Sequence, residues 1–144
     1  MQNLSHIEVS EICNKLGKAY PKNIKRVYGG NIHSTWQVEF EKEKFFLKRN
    51  QREKKFLKFE ECCLINLQEY INKEDLIIPQ VVSYQEVNDA ELLLMDWIDL
   101  QNGNQKKLGK GLGEMHLRSN ELNPKKFGFP YDGFIGSTNQ KGGW

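Results

Sequence analysis

A turn with two adjacent glycines, followed by a lysine at the end of an apolar run, is the part of the sequence best suited to chemistry. The turn contains Gly29 and Gly30, and Lys48 ends the run that begins at Phe45. Glycines let backbone N–H groups approach anionic oxygens closely. A lysine ammonium is a compact point charge for phosphates. Together the two features predict a phosphate clamp.

The glycine turn and the lysine also have ordinary structural explanations. Adjacent glycines suit a plain hairpin turn, because they adopt positive φ at little cost. Lys48 would then be an exposed lysine at a strand end. The order of strand, glycine turn, strand and lysine strand favours the clamp, in which Asn31, Ser34 and Thr35 would add further donors.

A lysine that holds phosphates needs an acidic partner, and the next helical segment offers two glutamates. Glu60 lies four residues after Phe56, on the side of the helix predicted to face inward. Glu61 is rotated about 100° further around the helix. We therefore predict that Glu60 pairs with Lys48. Glu61 as the partner, and a solvated Glu60 paired with another lysine, stay open as alternatives.

The segment that leaves the most apolar run of the chain is a candidate nucleotide contact. It consists of Met95, Asp96, Trp97 and Ile98, and a break at residues 101–104 follows it. Such a hinge would offer backbone N–H and C=O groups to an adenine edge. The alternative is an ordinary connector between domains, which would have a similar sequence.

The periodicity of apolar residues predicts an α+β fold. Ser5 and Glu8 have capping-box spacing, and Gly17 is placed to end the helix that they begin. A second helix is predicted over about residues 52–70, with an inward stripe that includes Phe56 and Phe59. A third is predicted over about 105–119. Strands are predicted at 24–28, 35–40, 44–48 and 91–95, with another after Pro79, a turn at Asn88-Asp89, and loops beyond Pro124.

The predicted break after residue 100 suggests two domains. Residues 1–99 would form a nucleotide-binding lobe, and residues 100–144 the beginning of a second lobe. In the third helix, Leu108, Leu112 and Met115 are predicted to face inward. His116, on the same side, is predicted to be a hydrogen-bonded structural histidine.

Composition excludes several classes of protein. The chain has 144 residues, 38% of them hydrophobic, and a net charge of only +2. A dedicated nucleic-acid binder would be far more basic, and no stretch is long and apolar enough to span a membrane. The cysteines Cys13, Cys62 and Cys63 have no metal-ligand spacing, which predicts reduced residues of a cytosolic protein.

Several segments resemble, in the same order, motifs of the fructosamine/ketosamine-3-kinase family, a branch of the protein-kinase-like superfamily close to aminoglycoside and choline kinases. The segments are Gly29-Gly30-Asn31-Ile32 (glycine loop), Phe46-Leu47-Lys48-Arg49-Asn50 (lysine strand), 56–67 (glutamate helix), Leu93-Leu94-Met95-Asp96-Trp97-Ile98 (strand and hinge) and Leu112-Gly113-Glu114-Met115-His116. The most specific resemblance is carried by Phe127-Gly128-Phe129, Ile135-Gly136-Ser137-Thr138-Asn139-Gln140 and Trp144.

This resemblance implies an ATP-dependent kinase that phosphorylates the sugar 3-hydroxyl of ketosamines on lysine or free amines, and so repairs early glycation. It implies a protein-kinase-like N-terminal lobe, with an antiparallel sheet and a packed helix, and the first helix and loops of a C-terminal lobe. Lys48 would hold the phosphates, Glu60 would position Lys48, and Mg²⁺ would neutralise charge on the transferring group.

The catalytic loop of the family, H-G-D-L-W, has no counterpart in these residues. The resemblance therefore places the catalytic aspartate and the Mg²⁺ ligands downstream, and we expect the chain alone to have little activity. Two alternatives remain. One is a non-catalytic nucleotide-binding or interaction lobe. The other is a related small-molecule kinase, similar to aminoglycoside or choline kinases, which residues 135–140 disfavour.

Overall fold

The computed structural model describes residues 3–28, 33–51, 55–123 and 128–143. Its contacts divide the chain into two compact units. The first consists of Met1–Glu61 and Val81–Ile98, and the second of Cys62–Gln80 and Asp99–Trp144. Residues 62–80 therefore group with those after Asp99 rather than with the sheet, whereas the division at residue 99 into functional lobes stays a prediction.

An antiparallel sheet is the framework of the first unit, with the strand order β1-β2-β3-β5-β4. Its strands are β1 (Asn23–Val27), β2 (Ser34–Glu39), β3 (Lys44–Asn50), β4 (Val81–Val87) and β5 (Ala90–Asp96). The predicted turn at Asn88 and Asp89 is confirmed, because both residues have positive φ, 48° and 62°. The predicted strands exist, with ends that differ by a residue or two.

Helix α1 (His6–Leu16) covers one face of this sheet. The capping box is confirmed: Ser5 Oγ accepts from Glu8 N, and Glu8 Oε2 accepts from Ser5 N at 2.8 Å. Gly17 ends the helix with a φ of 62°, as expected for a glycine C-cap. Side chains from the helix and from alternate strand positions form the core, namely Val9, Ile12, Cys13, Trp36, Val38, Phe40, Phe45, Leu47, Leu92 and Leu94.

Helix α2 (Phe56–Gln68) begins in the first unit and ends in the second. Its end is two residues earlier than predicted, and residues 52–54 lie outside the described part of the chain. Its two buried side chains are Phe56 and Leu57. Phe56 belongs to the predicted apolar stripe. Leu57 was missed because it is rotated by about 100° around the helix axis from Phe56.

The second unit contains helix α3 (Gln105–Leu122) and a short hairpin of β6 (Gly133–Ile135) and β7 (Thr138–Gln140). The prediction of loops only beyond Pro124 was therefore wrong. Strands of three residues are too short to show an alternating pattern in the sequence. Gly136, with a φ of 60°, provides the turn between them.

The predicted inner face of α3 was wrong for two of its three apolar residues, since only Met115 is half-buried. Leu108 and Leu112 are 48% and 40% exposed, and His116 is exposed as well. The buried residue of this helix is Gly111, which lies against Asp75 and Leu76. A glycine permits this close approach, and an analysis based on apolar side chains does not detect it.

We expect Gly111→Ala to destabilise the second unit by roughly 1–3 kcal/mol. A Cβ at residue 111 would lie 2.8 Å from the Leu76 Cβ and 3.1 Å from the Asp75 carbonyl carbon. Gly109→Ala is the matched control, because nothing lies within 4 Å of its added Cβ and alanine has the higher helix propensity. Urea titrations monitored by circular dichroism would contradict the prediction if both variants were equally stable.

Among the described residues, no helix is both long and apolar enough to cross a membrane.

Candidate functional site

Strand register brings two of the predicted phosphate-clamp residues, Thr35 and Lys48, to one face of the sheet, whereas Ser34 pairs with Arg49 on the other face. Thr35 pairs with Lys48, and Lys48 pairs with Leu93. Directly opposite residues in antiparallel strands share a face, so these side chains form a row across β2, β3 and β5. Leu47, one residue earlier, points to the α1 core instead. The alternation seen in the sequence thus separates Lys48 from the apolar core.

On this face, Lys48 pairs with Glu60. The Nζ of Lys48 lies 2.5 Å from the Oε1 of Glu60, and the two side chains are 24% and 29% exposed. Glu61 is paired differently, because its Oε2 accepts a 2.6 Å bond from Lys58 Nζ. The predicted pairing is confirmed as a contact, and the choice of Glu60 over Glu61 follows from it.

Only two of the predicted donors of the glycine turn, Ser34 and Thr35, belong to the described part of the chain. Gly29, Gly30 and Asn31 lie outside the described residues. The Thr35 hydroxyl donates to the Val27 carbonyl at 2.7 Å, so its proton is already used within the sheet. Ser34 Oγ accepts from Arg26 Nη2 at 3.1 Å. A nucleotide contact for any of these residues stays a prediction.

His33, at the end of the same turn, contacts the beginning of α2. Its ring centroid lies 5.8 Å from that of Phe56, and the residue is half-buried. This contact links the glycine turn to the helix that carries Glu60.

The predicted hinge leaves the sheet at the end of β5. Trp97 N donates to Lys44 O at 3.3 Å, which extends the β3–β5 ladder by one residue. Backbone groups of successive residues in an antiparallel strand point to alternate sides. Asp96, the last residue of β5, therefore directs its backbone groups away from β3. The Trp97 side chain lies beside Phe46, with ring centroids 6.2 Å apart.

A buried carboxylate on β5 is the main feature that sequence analysis missed. Glu91 is 3% exposed and accepts hydrogen bonds from side chains of β3 and β4 and from the first turn of α2. The sequence did contain a signal for it, because a glutamate directly before a run of four apolar residues is expected to be buried with them. A buried carboxylate needs several hydrogen-bond donors. Its partners could not be named without the register of the sheet.

A second missed contact joins α1 to the lysine strand. Arg49 Nε lies 2.7 Å from Glu8 Oε1, and these side chains are 10% and 2% exposed. Arg49 follows Lys48 and points to the opposite face of the sheet. The two neighbouring cations of β3 are thus held by glutamates from two different helices.

Within the described ranges, no three His, Cys, Asp or Glu side chains come together in a way that could hold a metal ion. Burial raises the pKa of the Cys13 thiol, and all three cysteines are free thiols.

Two solved structures share this fold. A "putative fructosamine-3-kinase" of Haemophilus somnus 129PT superposes with a TM-score of 0.73 at 19% identity, covering 94% of this chain and 46% of that one. A spectinomycin phosphotransferase, solved with ADP and spectinomycin, superposes with a TM-score of 0.59 at 18% identity, covering 90% and 44%. The fold is that of the kinase-like phosphotransferases, which confirms the predicted α+β class.

The family itself is shown by sequence. The family model described as Fructosamine kinase matches residues 5–144, and the chain belongs to this family. A probable ketoamine kinase of Enterococcus faecium is 29% identical over 126 residues, covering 87% of this chain and 40% of that protein. The chain thus spans about two fifths of the length of this relative.

Proposed function

We propose that this chain supplies the nucleotide-binding part of an ATP-dependent ketosamine kinase. The observation that carries the proposal is the partly buried pair of Lys48 and Glu60 on one face of the sheet. The spectinomycin phosphotransferase with the same fold was solved with ADP, which supports a nucleotide as the ligand.

In this proposal Lys48 contacts the phosphates of ATP. Phosphoryl transfer depends mainly on positioning and on electrostatic stabilisation of the phosphate charge. Glu60 restricts the flexible lysine to one direction, so that less side-chain entropy is lost when the phosphates bind. The N–H groups of Gly29, Gly30 and Asn31 would contact the same phosphates, with Ser34 at the edge of the turn.

The adenine would lie at the end of β5. Trp97 N–H is bonded to Lys44 O, so the adenine edge would contact other backbone groups of the segment from Met95 to Ile98. Met95 and Phe46 are cross-strand partners on the face that carries Lys48. They would provide the apolar surface beneath the ring.

The substrate that we propose is a ketosamine, phosphorylated on a sugar hydroxyl. This rests on family membership and on residues 135–140, which resemble a segment characteristic of the family. These residues form the turn and second strand of the β6–β7 hairpin, and Thr138, Asn139 and Gln140 are exposed there. Magnesium would neutralise phosphate charge, with ligands that we expect outside these 144 residues.

We expect the 144-residue chain to bind ATP and to transfer little or no phosphate. Calorimetry with ATP tests binding, and a single-turnover assay with labelled ATP and fructosyl-lysine tests transfer. Robust transfer would show that residues within this chain catalyse the reaction. Absence of binding would contradict the proposed clamp.

The intact mass of the protein in its native cells shows whether ketosamine phosphorylation should be assayed with these 144 residues or with a longer protein that contains them. A mass well above 16.9 kDa would direct the assay to the longer protein, where transfer to fructosyl-lysine is expected. A mass equal to that of these residues, with ATP binding and no transfer, would favour a non-catalytic nucleotide-binding lobe.

A further inference from the structure

We propose that Glu91 is a positioning residue for the clamp: its buried carboxylate fixes the first turn of α2 and thereby keeps Glu60 against Lys48. This inference rests on the proposed function, because it concerns the pair that would hold the phosphates. It adds a residue from a different strand, distant in sequence from both members of the pair.

The carboxylate of Glu91 accepts four hydrogen bonds. Its Oε2 accepts from Asn50 Nδ2 at 2.5 Å and from Leu57 N at 3.3 Å. Its Oε1 accepts from Lys58 N at 2.9 Å and from the Tyr84 hydroxyl at 2.9 Å. A carboxylate has about four acceptor positions, so Glu91 is fully used. Burial, followed by hydrogen bonds to Glu91 and Glu86, raises the pKa of Tyr84, which keeps its hydroxyl protonated and donating.

Two of these bonds replace a missing helix cap. The first N–H groups of a helix have no partner within the helix, and a side-chain oxygen of the residue before it usually accepts from the second or third of them. Lys55, the residue before α2, has no side-chain oxygen. Glu91 accepts from the second and third helical residues, Leu57 and Lys58, and its negative charge complements the helix N-terminus.

The cap lies within one helical turn of Glu60. Glu60 follows Lys58 by two residues, and a helical turn contains about 3.6 residues. If the first turn frays, the direction of the Glu60 side chain changes with it, and so does the contact between Phe56 and His33. A single carboxylate on β5 therefore holds the helical turn next to the partner of Lys48.

The test compares Glu91→Gln with Glu86→Gln in the 144-residue chain. Glutamine keeps the size of the side chain but has only one acceptor oxygen, so about two of the four bonds are lost. Glu86 is the cross-strand partner of Glu91, and its Oε1 lies 3.0 Å from the same Tyr84 hydroxyl oxygen, but it is exposed. Tyr84→Phe is a milder second variant, because it removes one donor to Glu91 and leaves both backbone bonds.

Two readouts are independent of nucleotide. Amide exchange at Leu57 or Lys58 should become about tenfold faster in Glu91→Gln, because an NH2 group replaces one of the two accepting oxygens, and the increase should be smaller in Tyr84→Phe. The nuclear Overhauser contact between the Lys48 and Glu60 side chains should weaken in parallel. Glu86→Gln, which removes the ion pair with Lys55 beside the helix start, should leave the Lys48–Glu60 contact unchanged. An intact Lys48–Glu60 contact with an uncapped helix would overturn the proposal and leave Glu91 as a purely structural cap.

The third readout is the affinity for ADP. Glu91→Gln should weaken binding about as much as Glu60→Gln, and it should have no further effect in a Glu60→Gln background, because both act through one contact. Additive losses would overturn the inference. If the wild-type chain binds no ADP, the proposed function fails, and the Lys48–Glu60 contact alone then decides the role of Glu91.

Discussion

Replacing Lys48 by methionine should weaken ATP binding by about 30-fold or more, while the chain stays folded. Methionine keeps the length and apolar stem of the side chain but removes the ammonium. In the proposal the ammonium contacts the ATP phosphates. Removing one member of such a buried, hydrogen-bonded pair of charges weakens the binding free energy by about 2 kcal/mol or more. Each 1.4 kcal/mol of binding free energy corresponds to about a factor of ten in affinity. Isothermal titration calorimetry at constant ionic strength measures the change.

Lys44→Met is the matched control for this experiment. Lys44 lies on the same strand and the same face, about 13 Å from Lys48 at 3.3 Å per residue, and its side chain lies at the surface near Glu39. The control tests whether the basic stretch of residues 42–58 attracts nucleotides merely by its charge. Equal losses in both variants would favour this diffuse attraction. Unchanged affinity in Lys48→Met would remove the clamp.

Replacing Glu8 by alanine should lower the free energy of unfolding by roughly 3–5 kcal/mol, the range typical for breaking a buried ion pair by removing one partner. Its carboxylate contacts Arg49 Nε and closes the capping box with Ser5 N, and both bonds lie at the edge of the α1 core. Urea unfolding followed by tryptophan fluorescence is suitable, because Trp36 is buried in that core.

Two variants identify the origin of this loss. Glu11→Ala removes an exposed carboxylate from the same helix and should change stability by less than about 0.5 kcal/mol. Glu8→Gln can keep an acceptor for Ser5 N and removes the charge and the second acceptor oxygen beside Arg49. If Glu8→Ala costs no more than Glu11→Ala, the ion pair contributes nothing to stability. If Glu8→Gln is as stable as wild type, the capping box carries the effect.

Local sequence rules predicted α1 and the strands well. Ser5, Glu8 and Gly17 specify both ends of α1 through interactions that span only a few residues. Alternating residues in β2 and β3 separate core from surface, since neighbouring side chains of a strand point to opposite faces. The same rules failed for α3, where Gly111 makes the close contact and Leu108 and Leu112 are exposed.

The candidate site was predictable in part. A lysine strand after a glycine turn, and a glutamate on the next helix, were sufficient to propose Lys48 and Glu60 before any contact was known. The assignment between Glu60 and Glu61 depended on a helix rotation that sequence fixes only roughly. Lys58 decides it in the structure, because its ammonium pairs with Glu61 and leaves Glu60 as the partner of Lys48.

The sequence by itself determined the family, the alternation that presents Lys48 away from the core, and the ends of the first helix. These features depend on residue types within short segments. Only the tertiary structure decided that Glu91 caps α2, since Leu57 and Lys58 lie 34 and 33 residues away in sequence, and that Arg49 meets Glu8 across 41 residues. A buried carboxylate must find several donors, and strand register, which short-range patterns do not specify, determines which donors come within reach.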